Sequence, residues 1–237
     1  MRLFPAVSFD GLSVNREEML RYLGYKGQEL DDALMDSVSR CAALAEQAVS
    51  PRFAVVESSL CIKENGVGLD GIFLAGEDIR LHLGQAKAGI LMGVTLGVQM
   101  ERLIQYHRRR SMADAVMIDA AATALIETAC DRVEEGLRAF YQEKGLDVTD
   151  RFSCGYGDLP LETQPDIIRA LDAPRAIGLT CSSSLILIPQ KSVTAILGVI
   201  PVGTRRSIRG CQNCNNRQNC LYRKEGIFCG HPSQAAQ

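Results

Sequence analysis

The chain has 237 residues, of which 46% are hydrophobic and 23% charged, and its formal net charge at pH 7 is -2. This length supplies ample apolar material for one large or two small domains, and the composition excludes disordered and fibrous proteins. No segment approaches the roughly 18 uninterrupted apolar residues of a membrane span, and the first residues lack the features of a secretory signal. We therefore expect a cytosolic protein whose nine cysteines are thiols or metal ligands rather than disulfides.

The charge is unevenly distributed along the chain. Residues 203–237 contain six basic side chains and one acidic one, a net charge of +5, which leaves -7 on the rest. We therefore divide the chain into a body, residues 1–202, and a basic, cysteine-rich tail, residues 203–237. A basic tail on an acidic body indicates either an acidic partner or docking within the chain.

Helix and strand signals alternate in the first hundred residues. Asn15 can cap a helix that ends near Gly24, and apolar residues recur at helical spacing from Glu29 to Val49. The β-rich run from Arg52 to Ile62 is followed by turn residues and an extended stretch near Leu69 to Leu74, which predicts a hairpin. The apolar run from Lys87 to Thr95 predicts a buried strand.

Long amphipathic helices and short strands are predicted for the remainder of the body. Helical periodicity extends from Val98 to Arg108 and again from Met112 to Gln142. A strand at Asp150 to Cys154 and a helix from Leu161 to Leu171 follow, and apolar runs such as Val193 to Ile200 close the body. Because strands and helices are mixed rather than strictly alternating, we predict an α+β fold with a mostly antiparallel sheet.

The most unusual segment is residues 151–160, RFSCGYGDLP, which combines an arginine, a tyrosine, a proline and glycines. Glycine lets the backbone approach a ligand closely because it has no Cβ. Arg151 could bind a carboxylate through two hydrogen bonds, and Tyr156 offers a flat aromatic face with one hydroxyl. The pattern suits a small zwitterionic or cationic ligand, although a strand followed by a tight turn also explains it.

This segment resembles the Arg-x-x-x-Gly-Tyr signature of the activation (reactivation) domain of vitamin B12-dependent methionine synthase. Residues 126–135 are similar to the long helix of that family with its acidic pattern, and residues 180–184 and 189–192 to its serine-rich turn and following strand. Where the family usually has proline and Ala-Cys-Pro after Gly-Tyr, this chain has Gly-Asp-Leu-Pro at 157–160. The resemblance covers roughly the stretch from Thr95 to Gly198, and the first ninety residues and the tail look like the stand-alone, short-chain form of the domain.

The resemblance implies that the body binds S-adenosylmethionine and assigns residues to that role. Arg151 matches the arginine that contacts the ligand, Ser153 matches a residue whose backbone lines the adenosyl pocket, and Gly155 and Tyr156 match the paired Gly-Tyr. Glu135 falls where the family has an acidic ligand contact on the long helix. These side chains and backbone groups suit a ligand with a carboxylate, an ammonium, a sulfonium and an adenine.

The implied function is the reactivation part of a cobalamin-dependent methyltransferase, namely methionine synthase. A chain of 237 residues has no room for separate homocysteine, folate and cobalamin modules, so we expect the cobalamin to arrive on a corrinoid-binding partner subunit. The same reasoning would fit a reactivation factor of another corrinoid methyltransferase. Reductive remethylation also implies an electron donor protein.

The tail carries four closely spaced cysteines, Cys211, Cys214, Cys220 and Cys229. Four thiolates can bind zinc tetrahedrally or hold an iron–sulfur cluster, and His231 could replace one of them. An iron–sulfur cluster would fit the reduction of cob(II)alamin that the resemblance implies. The alternative function is a metal-binding adaptor whose tail contacts nucleic acid or an acidic protein, although no nucleic-acid module is evident around it.

Overall fold

The computed structural model describes residue 4 and residues 7–204 of the chain, and within this part helices pack on both faces of one antiparallel sheet. The sheet has six strands in the order β3-β2-β1-β4-β8-β5, and β6 and β7 form a separate pair. The strands are β1 Arg52–Lys63, β2 Gly66–Leu69, β3 Ile72–Ala75, β4 Ala88–Thr95, β5 Leu146–Val148, β6 Thr180–Cys181, β7 Leu187–Ile188 and β8 Ser192–Pro201. The predicted α+β class with a mostly antiparallel sheet is confirmed.

Seven α-helices accompany these strands in the described part of the chain. They are α1 Arg16–Tyr22, α2 Asp32–Ala48, α3 Glu77–His82, α4 Val98–Arg108, α5 Met112–Gln142, α6 Gln164–Ala170 and α7 Ala173–Ile177. The predicted bounds of α4 and α5 are confirmed to the residue, and Asn15 caps α1 by accepting from the backbone N–H of Glu18 at 3.1 Å. None of the helices in the described ranges combines the length and hydropathy that a bilayer span requires.

The central strand β4 explains why the fold has two cores. Ile90, Met92 and Val94 point to the face covered by α2, α4 and α5, whereas Leu91 points to the face covered by α3, α6 and α7. A strand buried on both faces must be apolar at successive positions, which accounts for the continuous run predicted from the sequence. The long helix α5 thus lies across one face of the sheet with one side buried.

Two predicted strand assignments were wrong. The stretch near Leu69 to Leu74 contains a turn at Asp70 and Gly71, both with positive φ, so that β2 and β3 form a second hairpin. The predicted strand at Asp150 to Cys154 is reduced to a single bridge between Phe152 and Ile196. Pairing with β8 is interrupted because the side-chain hydroxyl of Thr149, rather than a backbone carbonyl, accepts from the N–H of Gly198 at 2.8 Å.

The scattered cysteines agree only in part with their predicted place in the core. Cys41, Cys130 and Cys154 are buried free thiols, as expected for small hydrophobic side chains. Cys61 is exposed on β1 and Cys181 is half-buried, so the interpretation as core residues was wrong for Cys61. Burial raises the pKa of the Cys154 thiol to about 12, which keeps it protonated and unreactive at neutral pH.

Candidate functional site

A cleft of about 480 Å³ lies between the N-terminal segment and the exposed side of α5. Its volume falls within the range of small-molecule sites. One wall comes from the turn that leads into α1 and from α1 itself, and the other from successive turns of α5. The lining residues are Ser13, Val14, Asn15, Glu18, Ala124, Glu127, Thr128, Asp131, Arg132 and Glu135.

The α5 wall of this cleft is acidic because Glu127, Asp131 and Glu135 recur every four residues. Residues four apart lie above one another on one side of a helix. Glu134, which is buried, lies on the adjoining side toward the sheet. The helix therefore presents a row of carboxylates along the cleft and one more behind it.

Arg151 enters this acidic row from the loop that follows β5. Its Nη1 lies 2.9 Å from Asp131 Oδ1 and 2.9 Å from Glu134 Oε1, and its Nη2 lies 3.1 Å from Glu127 Oε2. The side chain of Arg151 is only 17% exposed. The guanidinium thus links three carboxylates of α5, two of which line the cleft.

Burial and charge act in opposite directions on this cluster. Burial raises the pKa of Glu134 to about 7, although the guanidinium of Arg151 favours the ionised carboxylate. Burial alone would lower the pKa of Arg151, but the carboxylates around it, with Glu134 foremost, raise it above its ordinary value. Arg151 therefore stays charged at every physiological pH, whereas Glu134 exchanges its proton near neutrality.

The opposite wall is fixed by long-range hydrogen bonds to the backbone of the N-terminal segment. Arg132 donates from Nη1 to the carbonyl of Asp10 at 2.8 Å and from Nη2 to the carbonyl of Gly11 at 3.0 Å. The N–H of Val14 donates to Glu46 Oε1 at 2.8 Å. These side chains from α5 and α2 therefore tie the wall to the rest of the fold.

The Gly-Tyr loop follows a residue of the core on the α3 side of the sheet, whereas the cleft lies along α5, which covers the opposite face. Phe152 belongs to the core on the α3 side of the sheet, and the Tyr156 ring lies 6.4 Å from the Phe152 ring, edge to face. Tyr156 is 52% exposed. Gly157 has a φ of 55°, and a Cβ there would overlap the Asp78 carboxylate, so both the backbone conformation and the close approach favour glycine at this position.

Asp158 anchors this loop to α3. Its carboxylate accepts from the backbone N–H groups of Glu77 at 2.7 Å and Asp78 at 3.1 Å, which makes it the cap of a helix eighty residues earlier in the chain. The Gly-Asp-Leu-Pro sequence that departs from the family pattern therefore has a structural role. Sequence reasoning missed it because a cap supplied from a distant loop leaves no local signal.

We expect Asp158→Ala to destabilise the protein by about 1 kcal/mol, because two N–H groups of the first turn of α3 lose their acceptor. Thermal unfolding followed by circular dichroism measures the loss. Asp36→Ala, at an exposed position in α2, serves as the control and should leave the unfolding temperature nearly unchanged. Equal unfolding temperatures for the two variants would contradict the capping role.

The five predicted ligand residues are distributed over two places. Glu135 lines the cleft, and Arg151 is bonded to two carboxylates that do so. Ser153, Gly155 and Tyr156 belong to the loop beside α3 and do not line the cleft. The assignment of these five residues to one ligand stays a prediction. Glu127 and Asp131 are further candidates, which their spacing of four residues could have indicated.

The predicted metal site lies outside the described residues, because Cys211, Cys214, Cys220 and Cys229 all belong to the stretch 205–237. In residues 4 and 7–204, no group of three or more metal-ligating side chains is placed to hold an ion. His82 is buried, with Nε2 3.0 Å from the carbonyl of Asp150 and its ring 5.2 Å from that of Phe152. His82 is therefore a core residue of the described part of the chain.

A second groove of about 450 Å³ lies across β1, β2 and β3. Gly68 lines it beside the Lys63 side chain, and the ammonium of Lys63 lies 5.4 Å from the centre of the Phe73 ring. The lining carboxylate, Asp70, accepts from the N–H of Ser59 at 3.0 Å. The groove thus lacks the row of carboxylates that distinguishes the cleft beside α5.

Comparison with known proteins finds a similar fold but no similar sequence. No protein-family model matches the chain, and none of the curated proteins matches it. Among solved structures, the crystal structure of the MetH reactivation domain bound to AdoHcy is similar, with a TM-score of 0.59 and 12% sequence identity. The match covers 95% of this chain and 85% of that chain. The chain therefore has the fold of a methionine synthase reactivation domain.

Proposed function

We propose that the body of this protein binds S-adenosylmethionine in the cleft between the N-terminal segment and α5. The observation that carries the proposal is the acidic row of α5, which lines a cleft of suitable volume and is linked to Arg151 of the Arg-x-x-x-Gly-Tyr segment. The fold supports it, since the similar reactivation domain was crystallised with AdoHcy. Ser153, Gly155 and Tyr156 lie outside this cleft, and a ligand contact from them is supported only by the resemblance of their segment to the Arg-x-x-x-Gly-Tyr signature.

The charge of the cleft favours a cation. Four carboxylates line it, those of Glu18, Glu127, Asp131 and Glu135, and three guanidinium groups lie in it or pair with them, those of Arg21, Arg132 and Arg151, which leaves one negative charge. Glu134, when ionised, adds a second negative charge behind the cleft. S-adenosylmethionine carries a net charge of +1 at neutral pH, whereas its demethylated product is neutral overall. Opposite charges at close range in a partly desolvated site attract substantially.

In this proposal the protein holds and orients the ligand and is not an acid–base catalyst. The carboxylates of Glu127, Asp131 and Glu135 bind the cationic part, and Arg151 holds the first two in place. Arg132 fixes the N-terminal wall against α5. The bound ligand supplies an activated methyl group.

The wider role that we propose is reactivation of a cobalamin-dependent methyltransferase, with methionine synthase as the leading candidate. The cobalamin would be carried by a corrinoid-binding partner, and an electron donor protein would supply reducing equivalents. We propose that reactivation occurs in trans and in the cytosol. The cysteines of the tail are proposed ligands of an iron–sulfur cluster or of zinc, and residues 203–237 are proposed to form a unit separate from the body.

Calorimetric titration of the full chain with S-adenosylmethionine tests the proposal. We expect binding that Glu127→Gln weakens about tenfold, which corresponds to the loss of one charge-assisted contact. Glu17→Gln is the matched control, because Glu17 lies in the first turn of α1 but does not line the cleft. Absence of binding to the unaltered chain, or equal weakening by both substitutions, would contradict the proposal.

A further inference from the structure

The guanidinium of Arg151 is already surrounded by negative charge. Asp131, Glu134 and Glu127 lie within 3.1 Å of its two terminal nitrogens, and Nη1 contacts two of them at once. Binding of a ligand carboxylate would bring a fourth anion to the same group. Since like charges repel at such distances and the Arg151 side chain is only 17% exposed, the ligand carboxylate would have to displace one of the α5 carboxylates.

The same ion pairs allow Arg151 to hold two carboxylates of α5 in place instead of binding the ligand carboxylate. Glu127 and Asp131 each accept from Arg151 through one oxygen, and both line the cleft. Two exposed carboxylates four residues apart would otherwise repel each other and rotate freely in solvent. Bonded to one planar guanidinium, they are held at a fixed separation on the cleft side of α5.

We propose that Arg151 is a positioning residue, which fixes Glu127 and Asp131 so that the cleft selects its ligand by the sulfonium and ammonium charges and not by the carboxylate. This inference rests on the proposed function and deepens it, because it names the part of the ligand that is recognised. It also reassigns Arg151, which the resemblance had matched to a direct ligand contact.

Three ligands distinguish a positioning role of Arg151 from direct contact with the ligand carboxylate. S-adenosylmethionine has all the charged groups, decarboxylated S-adenosylmethionine lacks only the carboxylate, and S-adenosylhomocysteine lacks only the sulfonium charge. Calorimetry of the full chain is carried out with each ligand, for the unaltered protein and for Arg151→Met, Arg151→Lys and Glu127→Gln. Circular dichroism verifies that each variant is folded, and Arg151→Lys, which keeps the charge, replaces Arg151→Met if the latter unfolds.

We expect the unaltered protein to bind the decarboxylated ligand at least as tightly as S-adenosylmethionine and S-adenosylhomocysteine about tenfold more weakly. In Arg151→Met, the affinities for S-adenosylmethionine and for decarboxylated S-adenosylmethionine should fall by the same factor. The preference for the sulfonium over the thioether should shrink in Arg151→Met and in Glu127→Gln alike, because both substitutions disturb the carboxylates that recognise the charge.

Two results would overturn the inference while leaving the proposed function intact. A preference of tenfold or more for S-adenosylmethionine over its decarboxylated form, lost in the Arg151 variants, would show that Arg151 binds the ligand carboxylate. An equal fall in affinity for all three ligands would show that Arg151 has only a structural role. If the unaltered protein binds none of them, the proposed function fails, and the inference fails with it.

Discussion

Replacing Arg151 by methionine should cost the protein about 3–5 kcal/mol of unfolding free energy, because it leaves the carboxylates of Glu127, Asp131 and Glu134 without their shared cation. Glu134 is the main contributor, since its side chain is only 12% exposed and water can replace little of what the guanidinium supplies. Urea unfolding at pH 8, where Glu134 is largely ionised, measures the difference.

The matched control for this prediction is Arg169→Met. Arg169 also forms an ion pair, with Asp166 at 2.8 Å, but its side chain is 75% exposed. Exposed pairs contribute little to stability because solvent screens them. The account therefore expects a large loss for Arg151→Met and almost none for Arg169→Met, and losses of similar size would show that the cluster around Arg151 is not buried as described.

The second large effect concerns the dependence of stability on pH. The pKa of Glu134 is about 7 in the folded protein against an ordinary value of 4.5, so the folded state binds this proton more tightly than the unfolded state does. The resulting stabilisation is complete below about pH 4.5 and is lost as the pH rises through 7. At about 1.4 kcal/mol per unit of difference between the two pKa values, it amounts to roughly 3–4 kcal/mol.

Glu134→Gln should remove this contribution, because glutamine does not titrate. The difference in unfolding free energy between pH 5 and pH 8, obtained from urea unfolding at several pH values, should therefore change by roughly 2–3 kcal/mol relative to the unaltered protein. Glu135→Gln, at the neighbouring exposed position, is the control. An unchanged pH profile in Glu134→Gln would contradict the burial of this carboxyl.

The elements that were predicted correctly are those whose signals are local. Helices α4 and α5 have continuous apolar periodicity and clear boundaries, with Gly97 before α4 and Ser111 as the cap of α5. The Asp70-Gly71 turn had an equally local signal, since this dipeptide is typical of two-residue hairpin turns. It was missed because the apolar residues on both sides were assigned to one extended stretch.

Other features depend on contacts that no local pattern contains. Helix α3 has six residues and receives its cap from Asp158, about eighty positions later. The strand predicted after β5 is reduced to one bridge because the hydroxyl of Thr149 replaces a backbone acceptor. A short element whose hydrogen bonds are completed by distant side chains is stable only in the folded protein, so its own residues do not predict it.

The candidate site was also predicted in part: the residues with a local sequence signal were found, and the contacts between distant residues were not. The resemblance drew attention to Arg151 and to the acidic pattern of the long helix, and the structure brings these together through three ion pairs. The N-terminal wall could not be predicted, because Arg132 binds carbonyls more than 120 residues earlier in the chain. The position of the Gly-Tyr loop beside α3 follows from Asp158 and was likewise hidden.

A crystal structure of the chain in complex with S-adenosylmethionine would test the central claim most directly. The account predicts that the ligand lies against α5, with its sulfonium within about 5 Å of the carboxylates of Glu127 or Asp131 and with Arg151 still paired to α5. A ligand bound in the groove over β1–β3, or one whose carboxylate is seated on Arg151 with Glu127 displaced, would contradict it.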